Sequence, residues 1–205
     1  MSIDKNHIII AVTGASGAPY TLRLIECLVK ANKKIDIIFS KAAHMVFAME
    51  TDLELPARPI ELSEFFSKRY GAKPDQITVY GREDWTAPAA SGSHTAASMV
   101  VCPCTMGTLA AIAHGMSDNL IERAADVMIK EGRQLIMVPR ETPFSAIHLE
   151  NMQKLAQVGV IMLAANPGFY YQPQSVDDLV DFVVARLLDH LQIDHELMPR
   201  WGMND

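Results

Sequence analysis

The stretch from Ile8 to Lys30, IIIAVTGASGAPYTLRLIECLVK, decides how the rest of the chain is read. Five apolar residues (8–12) follow one another without alternation. A run of small residues, Thr13-Gly14-Ala15-Ser16-Gly17-Ala18, then leads into a helical pattern over 18–31. A half-exposed strand alternates polar and apolar side chains, whereas an unbroken apolar run suits a strand buried on both faces, as in a parallel sheet covered by helices.

The same alternation of elements continues outward from that stretch. Further strands are expected at IDIIFS (35–40), SMVVC (98–102), QLIMV (134–138) and VIMLA (160–164), and further helices over 41–49, 105–114, 119–130, 146–157 and 175–190. The pattern predicts a single-domain, three-layer αβα sandwich around a Rossmann-like or flavodoxin-like parallel sheet. A chain of 205 residues, 49% hydrophobic, is long enough to bury such a core. The domain is expected to cover 1–191, with the Pro-, Gly- and Ser-containing stretch 52–97 a helix-containing excursion that borders the site. The tail 192–205 is polar except for Leu197, Met198 and Trp201, and is expected to dock near the site or on a neighbouring subunit.

Composition excludes several classes. Net charge is −6 and the 18 Lys and Arg are scattered, so the basic footprint of a nucleic-acid binder is absent. The longest apolar runs are far shorter than a membrane span, and MSIDKNH lacks the apolar region of a signal peptide; a cytoplasmic protein is expected. Cys27, Cys102 and Cys104 cannot all pair, and Cys102-Pro103-Cys104 matches neither a redox nor a zinc spacing, so they are expected to be packing residues.

The chemistry-bearing residues gather where strands end. The turn 13–18 places small residues and free N–H groups at a helix start, a candidate phosphate site. Its G-x-x-G spacing, with Ser40 rather than an acid ending the second strand, disfavours a dinucleotide and suits a mononucleotide. A second turn, Thr105-Met106-Gly107-Thr108, follows the strand SMVVC, and Arg140 and Glu141 follow QLIMV. Asp177-Asp178-Leu179-Val180-Asp181 matches a magnesium–diphosphate pattern, but Ser175 with Asp178 three residues on reads as a helix cap, and no metal is expected.

Taken together, GASGAPYTLRLIECL, SKAA followed by METD, SGS, CPCTMGTLAAIAHG, DNLIERAADVMIKEGRQLIMVPRETPFSAIHLENM and PGFYYQPQSVDDLVDFVVARLLDHL resemble the flavin prenyltransferases, the UbiX family, over nearly the whole chain. VPRETP, FYYQPQS and the closing PRW are the more selective strings. The resemblance implies transfer of the dimethylallyl group of dimethylallyl monophosphate to N5 and C6 of reduced FMN. The product, prenylated FMN, would serve a UbiD-type decarboxylase, as in ubiquinone biosynthesis. It implies FMN contacts at Gly14, Ala15, Ser16, Ser40, Thr105, Met106, Gly107, Thr108 and Arg140. Tyr170 and Arg186 would bind the prenyl donor, with Lys130, Arg140 and Glu141 converging on its phosphate.

Within that resemblance, Glu141 is expected to be the acid beside the leaving phosphate, its acidity weakened there, with Ser16 assisting a proton relay. Glu50 is a further group for proton handling, and Trp201 a ring that can face an allylic cation. Without the resemblance, Lys130 and Arg186 are cations that end or line an amphipathic helix, where a positive charge near the C-terminus is stabilising anyway. The resemblance also implies a homododecamer with sites at subunit contacts. The alternative is an FMN-dependent oxidative decarboxylase of a cysteinyl substrate on the same sandwich; its Pro-x-Met-Asn segment is missing, and neither His94, His114 nor His148 matches its essential histidine. A non-catalytic flavin-binding subunit is a third possibility, disfavoured by the intact set of charged residues.

Overall fold

A computed structural model of the chain describes residues 3–199. The chain forms β1 (Asp4–Val12), α1 (Ala18–Lys30), β2 (Lys34–Phe39), α2 (Lys41–Glu50), α3 (Pro59–Tyr70), β3 (Ile77–Gly81) and β4 (Ala96–Cys104). It continues through α4 (Met106–Ala113), α5 (Leu120–Lys130), β5 (Gln134–Pro139), α6 (Ala146–Gln157), β6 (Ile161–Met162) and α7 (Val176–His190). All strand pairs are parallel, in the order β3-β2-β1-β4-β5-β6. That is the Rossmann order, which settles the choice of topology.

The unbroken apolar runs are explained by two cores, one on each face. Along β1, Ile8, Ile10 and Val12 join Leu24 and Leu28 of α1 and Val183 and Leu187 of α7. Ile9 and Ala11 point the other way, to Leu109 of α4, Ile121 of α5 and Leu155 of α6. Each such Ile or Leu, removed from water, contributes about 1.5–3 kcal/mol.

Two departures from the expected elements have physical causes. The excursion 52–97 contains a strand as well as a helix: β3 is an edge strand in which buried Ile77 and Val79 alternate with half-buried Thr78 and Tyr80, so its apolar signal is diluted. The strand expected over 160–164 shrinks to two residues at the opposite edge. Cys102 and Cys104 are buried as expected, and burial pushes the Cys102 thiol up to about 12. The beginning of the tail packs down, with Ile193 buried and Leu197 against the core, while Trp201 lies outside the described residues.

Candidate active site

At the boundary between β1 and β4 the strand order reverses direction, the place at the carboxyl ends of the strands where open α/β sheets form their ligand crevice. The turns at this edge are stitched together by the backbone: Ser40 N donates to Val12 O (3.0 Å), Thr13 N to Pro103 O (3.3 Å) and Arg140 N to Cys104 O (3.3 Å). The buried Thr13 hydroxyl adds a bridge, donating to Pro103 O (2.7 Å) and lying 2.9 Å from Thr105 N, which donates to it. The residues expected to contact a flavin from the β1, β2, β4 and β5 ends therefore do share one edge.

Local sequence explains each turn. Ser40 caps α2, its hydroxyl accepting from Ala43 N (3.1 Å), and Thr105 caps α4 by accepting from Thr108 N (3.2 Å). Gly17, with φ of 134°, starts α1 in a conformation that favours glycine. Gly14 is required by close approach, since a Cβ there would overlap Ala42 Cβ. Met106 is mainly a core residue, so its backbone rather than its side chain faces the turn, whereas Gly107 has open space about it.

The start of α1 corrects the phosphate reading. Glu50, the last residue of α2, places Oε2 2.9 Å from both Gly17 N and Ala18 N and accepts both hydrogen bonds. The helix terminus is already satisfied by a carboxylate, because α2 packs back across the turn. Burial would raise the pKa of Glu50, but the Ser16 hydroxyl, the two N–H groups and nearby Arg140 outweigh it and hold the carboxyl below its usual range. Ser16, Glu50 and Arg140 thus form one polar group at the crevice.

The remaining residues lie elsewhere in the chain. Lys130 ends α5 immediately before β5, and a crossover helix runs antiparallel to its strands, so Lys130 stands at the amino edge. There it pairs with Glu131 beside Gly92. The expected convergence of Lys130 with Arg140 and Glu141 is therefore absent within one chain. Glu141 follows β5, with Oε1 accepting from Thr142 N (3.0 Å). Tyr170 and Arg186 do come together, lining a cavity of about 440 Å³ with Phe182, Asp189 and His195. Arg186 pairs with Asp189 at 2.6 Å, and the Tyr170 ring meets Phe182 edge-on at 5.9 Å.

The acidic pattern at 177–181 is accounted for structurally. Ser175 and Asp178 form a reciprocal cap, and Asp181 receives a two-pronged bond from Arg23 at 2.7 and 3.0 Å. Two features escaped the sequence reading. One is a cavity of about 720 Å³ flanking Ser40, lined by Phe39, Lys41, His44, Leu55, Tyr80 and Arg82. The other is a buried group of His7, Asp36 and His94 at the amino edge, signalled only by a charge inside a strand buried on both faces.

The comparisons with known proteins agree with this fold. The model of the family described as Flavoprotein matches residues 1–188. The flavin prenyltransferase UbiX of Pseudomonas aeruginosa is 56% identical over 196 residues, covering 96% of this chain and 94% of the relative. The structure of AnUbiX (PadA1) in complex with FMN and dimethylallyl pyrophosphate superposes with a TM-score of 0.85 at 37% identity, covering 97% and 98% of the two chains. A dodecameric FMN-dependent UbiX-like decarboxylase from Escherichia coli O157:H7 gives 0.83 at 39% identity, covering 96% and 98%. The chain belongs to the Flavoprotein family and, within it, to the flavin prenyltransferases of the UbiX group.

Proposed function

We propose that the protein transfers the dimethylallyl group of dimethylallyl monophosphate to N5 and C6 of reduced FMN, without a metal. The observation that carries this reading is the joining of Ser16, Glu50 and Arg140 at the switch-point crevice, in a chain with full-length similarity to flavin prenyltransferases. The donor set there fits a flavin mononucleotide. Backbone and hydroxyl groups of Gly14, Ala15, Ser16, Ser40, Thr105, Met106, Gly107 and Thr108 offer hydrogen bonds, and Arg140 offers positive charge. Ser40 leaves no acid at the end of β2 for a second nucleotide's ribose.

When bound and reduced, FMN supplies the nucleophilic atoms that take the prenyl unit. The chain's task is to break the allylic C–O bond, with the phosphate leaving on the electron pair, and to remove a proton from the acceptor. Lys130, Arg140, Arg186 and Tyr170 hold the phosphate, and Glu141 supplies or relays its proton. The Ser16–Glu50 pair, with its carboxylate kept ionised, accepts protons from the acceptor side. Trp201 is assigned to the allylic cation, through the face of its ring.

Because Lys130, the Tyr170–Arg186 cavity and the Arg140 crevice lie on separate parts of one chain, each complete site is assembled from several copies in a homododecamer. The product passes to a UbiD-type decarboxylase in the cytoplasm, within ubiquinone biosynthesis. Anaerobic incubation with reduced FMN and dimethylallyl phosphate, followed by mass analysis of the released flavin, tests the reaction. A flavin heavier by one five-carbon unit, lost in Glu141→Gln, supports it; unmodified flavin from folded, FMN-loaded protein refutes it.

A further inference from the structure

His7 in β1, Asp36 in β2 and His94 in the loop before β4 are 3%, 1% and 7% exposed, so this polar group is as buried as the core. His94 Nε2 lies 2.9 Å from Asp36 Oδ2 in a hydrogen bond. His7 Nε2 lies 3.0 Å from the same oxygen, but without hydrogen-bond geometry, and Asp36 Oδ1 likewise has no hydrogen-bond partner. Ala96 N donates to His94 Nδ1 at 2.9 Å, which assigns the tautomer: Nδ1 carries the lone pair and Nε2–H donates to Asp36. A metal bound at Nε2 would leave Nδ1–H facing the Ala96 N–H, so the proton inventory favours an anchor over a metal site.

The anchored element is the loop Ser91–Thr95. From its other side, Arg133 donates to Gly92 O (2.7 Å) and His94 O (2.6 Å). Its outer surface carries the Lys130–Glu131 pair: a Cβ on Gly92 would stand 3.0 Å from Lys130 Nζ and would overlap Glu131 Oε1. The loop is thus held from beneath by buried hydrogen bonds and forms the seat of Lys130.

We propose that His94 is a positioning residue for the prenyl donor: by bonding to Asp36 it fixes the Ser91–Thr95 loop, and through Gly92 it sets where Lys130 presents its ammonium group to the phosphate. This rests on the assignment of Lys130 to the phosphate. In steady-state assays with reduced FMN, His94→Phe is expected to raise KM for dimethylallyl phosphate about tenfold or more, the scale of a misplaced binding group. Turnover at saturation and FMN affinity stay near wild type, and amide exchange across 91–95 accelerates. His94→Gln, which keeps a donor within reach of Asp36, recovers most of the KM. Gly92→Ala displaces Lys130 without entering the buried group, and raises KM in the same way. The double variant is no worse than the poorer single, because both act through one seat.

Wild-type KM in His94→Phe beside a raised KM in Lys130→Ala overturns this proposal alone; unchanged KM in Lys130→Ala overturns the assignment of Lys130 and this proposal with it. Parallel loss of KM, turnover and FMN affinity would make His94 merely structural. Zinc that copurifies with the wild type and is lost in His94→Phe would make the group a metal site. Should His94→Phe not fold, His94→Gln and Gly92→Ala carry the same comparison, and wild-type KM in both overturns the proposal.

Discussion

The two edges of the sheet hold polar groups of opposite character. At the carboxyl edge, Ser16, Glu50 and Arg140 gather around an open crevice, on turns stitched by backbone bonds that continue the sheet. At the amino edge, His7, Asp36 and His94 are sealed from water, while Lys130, above them, is exposed. The difference teaches where each edge spends its polar groups. One keeps them open to a ligand, and the other uses them inward to hold a loop. Substitutions at the two edges should therefore move different quantities.

The larger stability effect is expected at the amino edge. Asp36→Asn removes the buried carboxylate that accepts from His94 and should lower unfolding free energy by about 3 kcal/mol at neutral pH, with FMN affinity near wild type. Burial alone would raise the Asp36 carboxyl, but the hydrogen bond from His94 and the polar His7 ring 3.0 Å away outweigh it and hold it below the usual carboxylate range. A depressed carboxyl contributes stability that is complete above its unfolded value, about pH 4, and is lost as pH falls through the folded value. The gap between wild type and Asp36→Asn in urea unfolding should thus be full at pH 7 and shrink below pH ~4. A gap independent of pH would mean that packing, not charge, is the source.

A smaller stability effect with a ligand signature is expected at the carboxyl edge. Thr13→Val leaves Thr105 N and Pro103 O without the hydroxyl between them, costing about 1–3 kcal/mol. Because that hydroxyl joins two of the turns, flavin affinity should fall as well, which titration of FMN fluorescence would read. Destabilisation with unaltered affinity would show that the turns hold their places without it.

The sheet was legible because β1, β2, β4 and β5 are apolar on both faces, whereas β3, at an edge within a Pro- and Gly-bearing stretch, was diluted by half-exposed residues. The turns at 13–17 and 105–108 were legible because capping hydroxyls and glycines sit at strand ends. The Glu50 contact was not: 33 residues separate it from Gly17, and only the packing of α2 brings them together. The place of Lys130 was within reach of topology, since a helix that leads into a parallel strand ends at the amino edge. Asp36 also left a trace, as an acid between apolar residues of a doubly covered strand, with His7 just ahead of the apolar run of the neighbouring one.

The central claim is that no single chain holds the whole site, and hybrid oligomers test it most directly. Lys130→Ala and Arg140→Ala should each, alone, lower prenylation of reduced FMN by about 10²-fold or more. Coexpressed and purified as mixed oligomers, they should regain turnover, to roughly a quarter of wild type if each site draws these two residues from two randomly chosen copies. Mixed oligomers no more active than the better parent would contradict a shared site and require Lys130 and Arg140 to act within one chain.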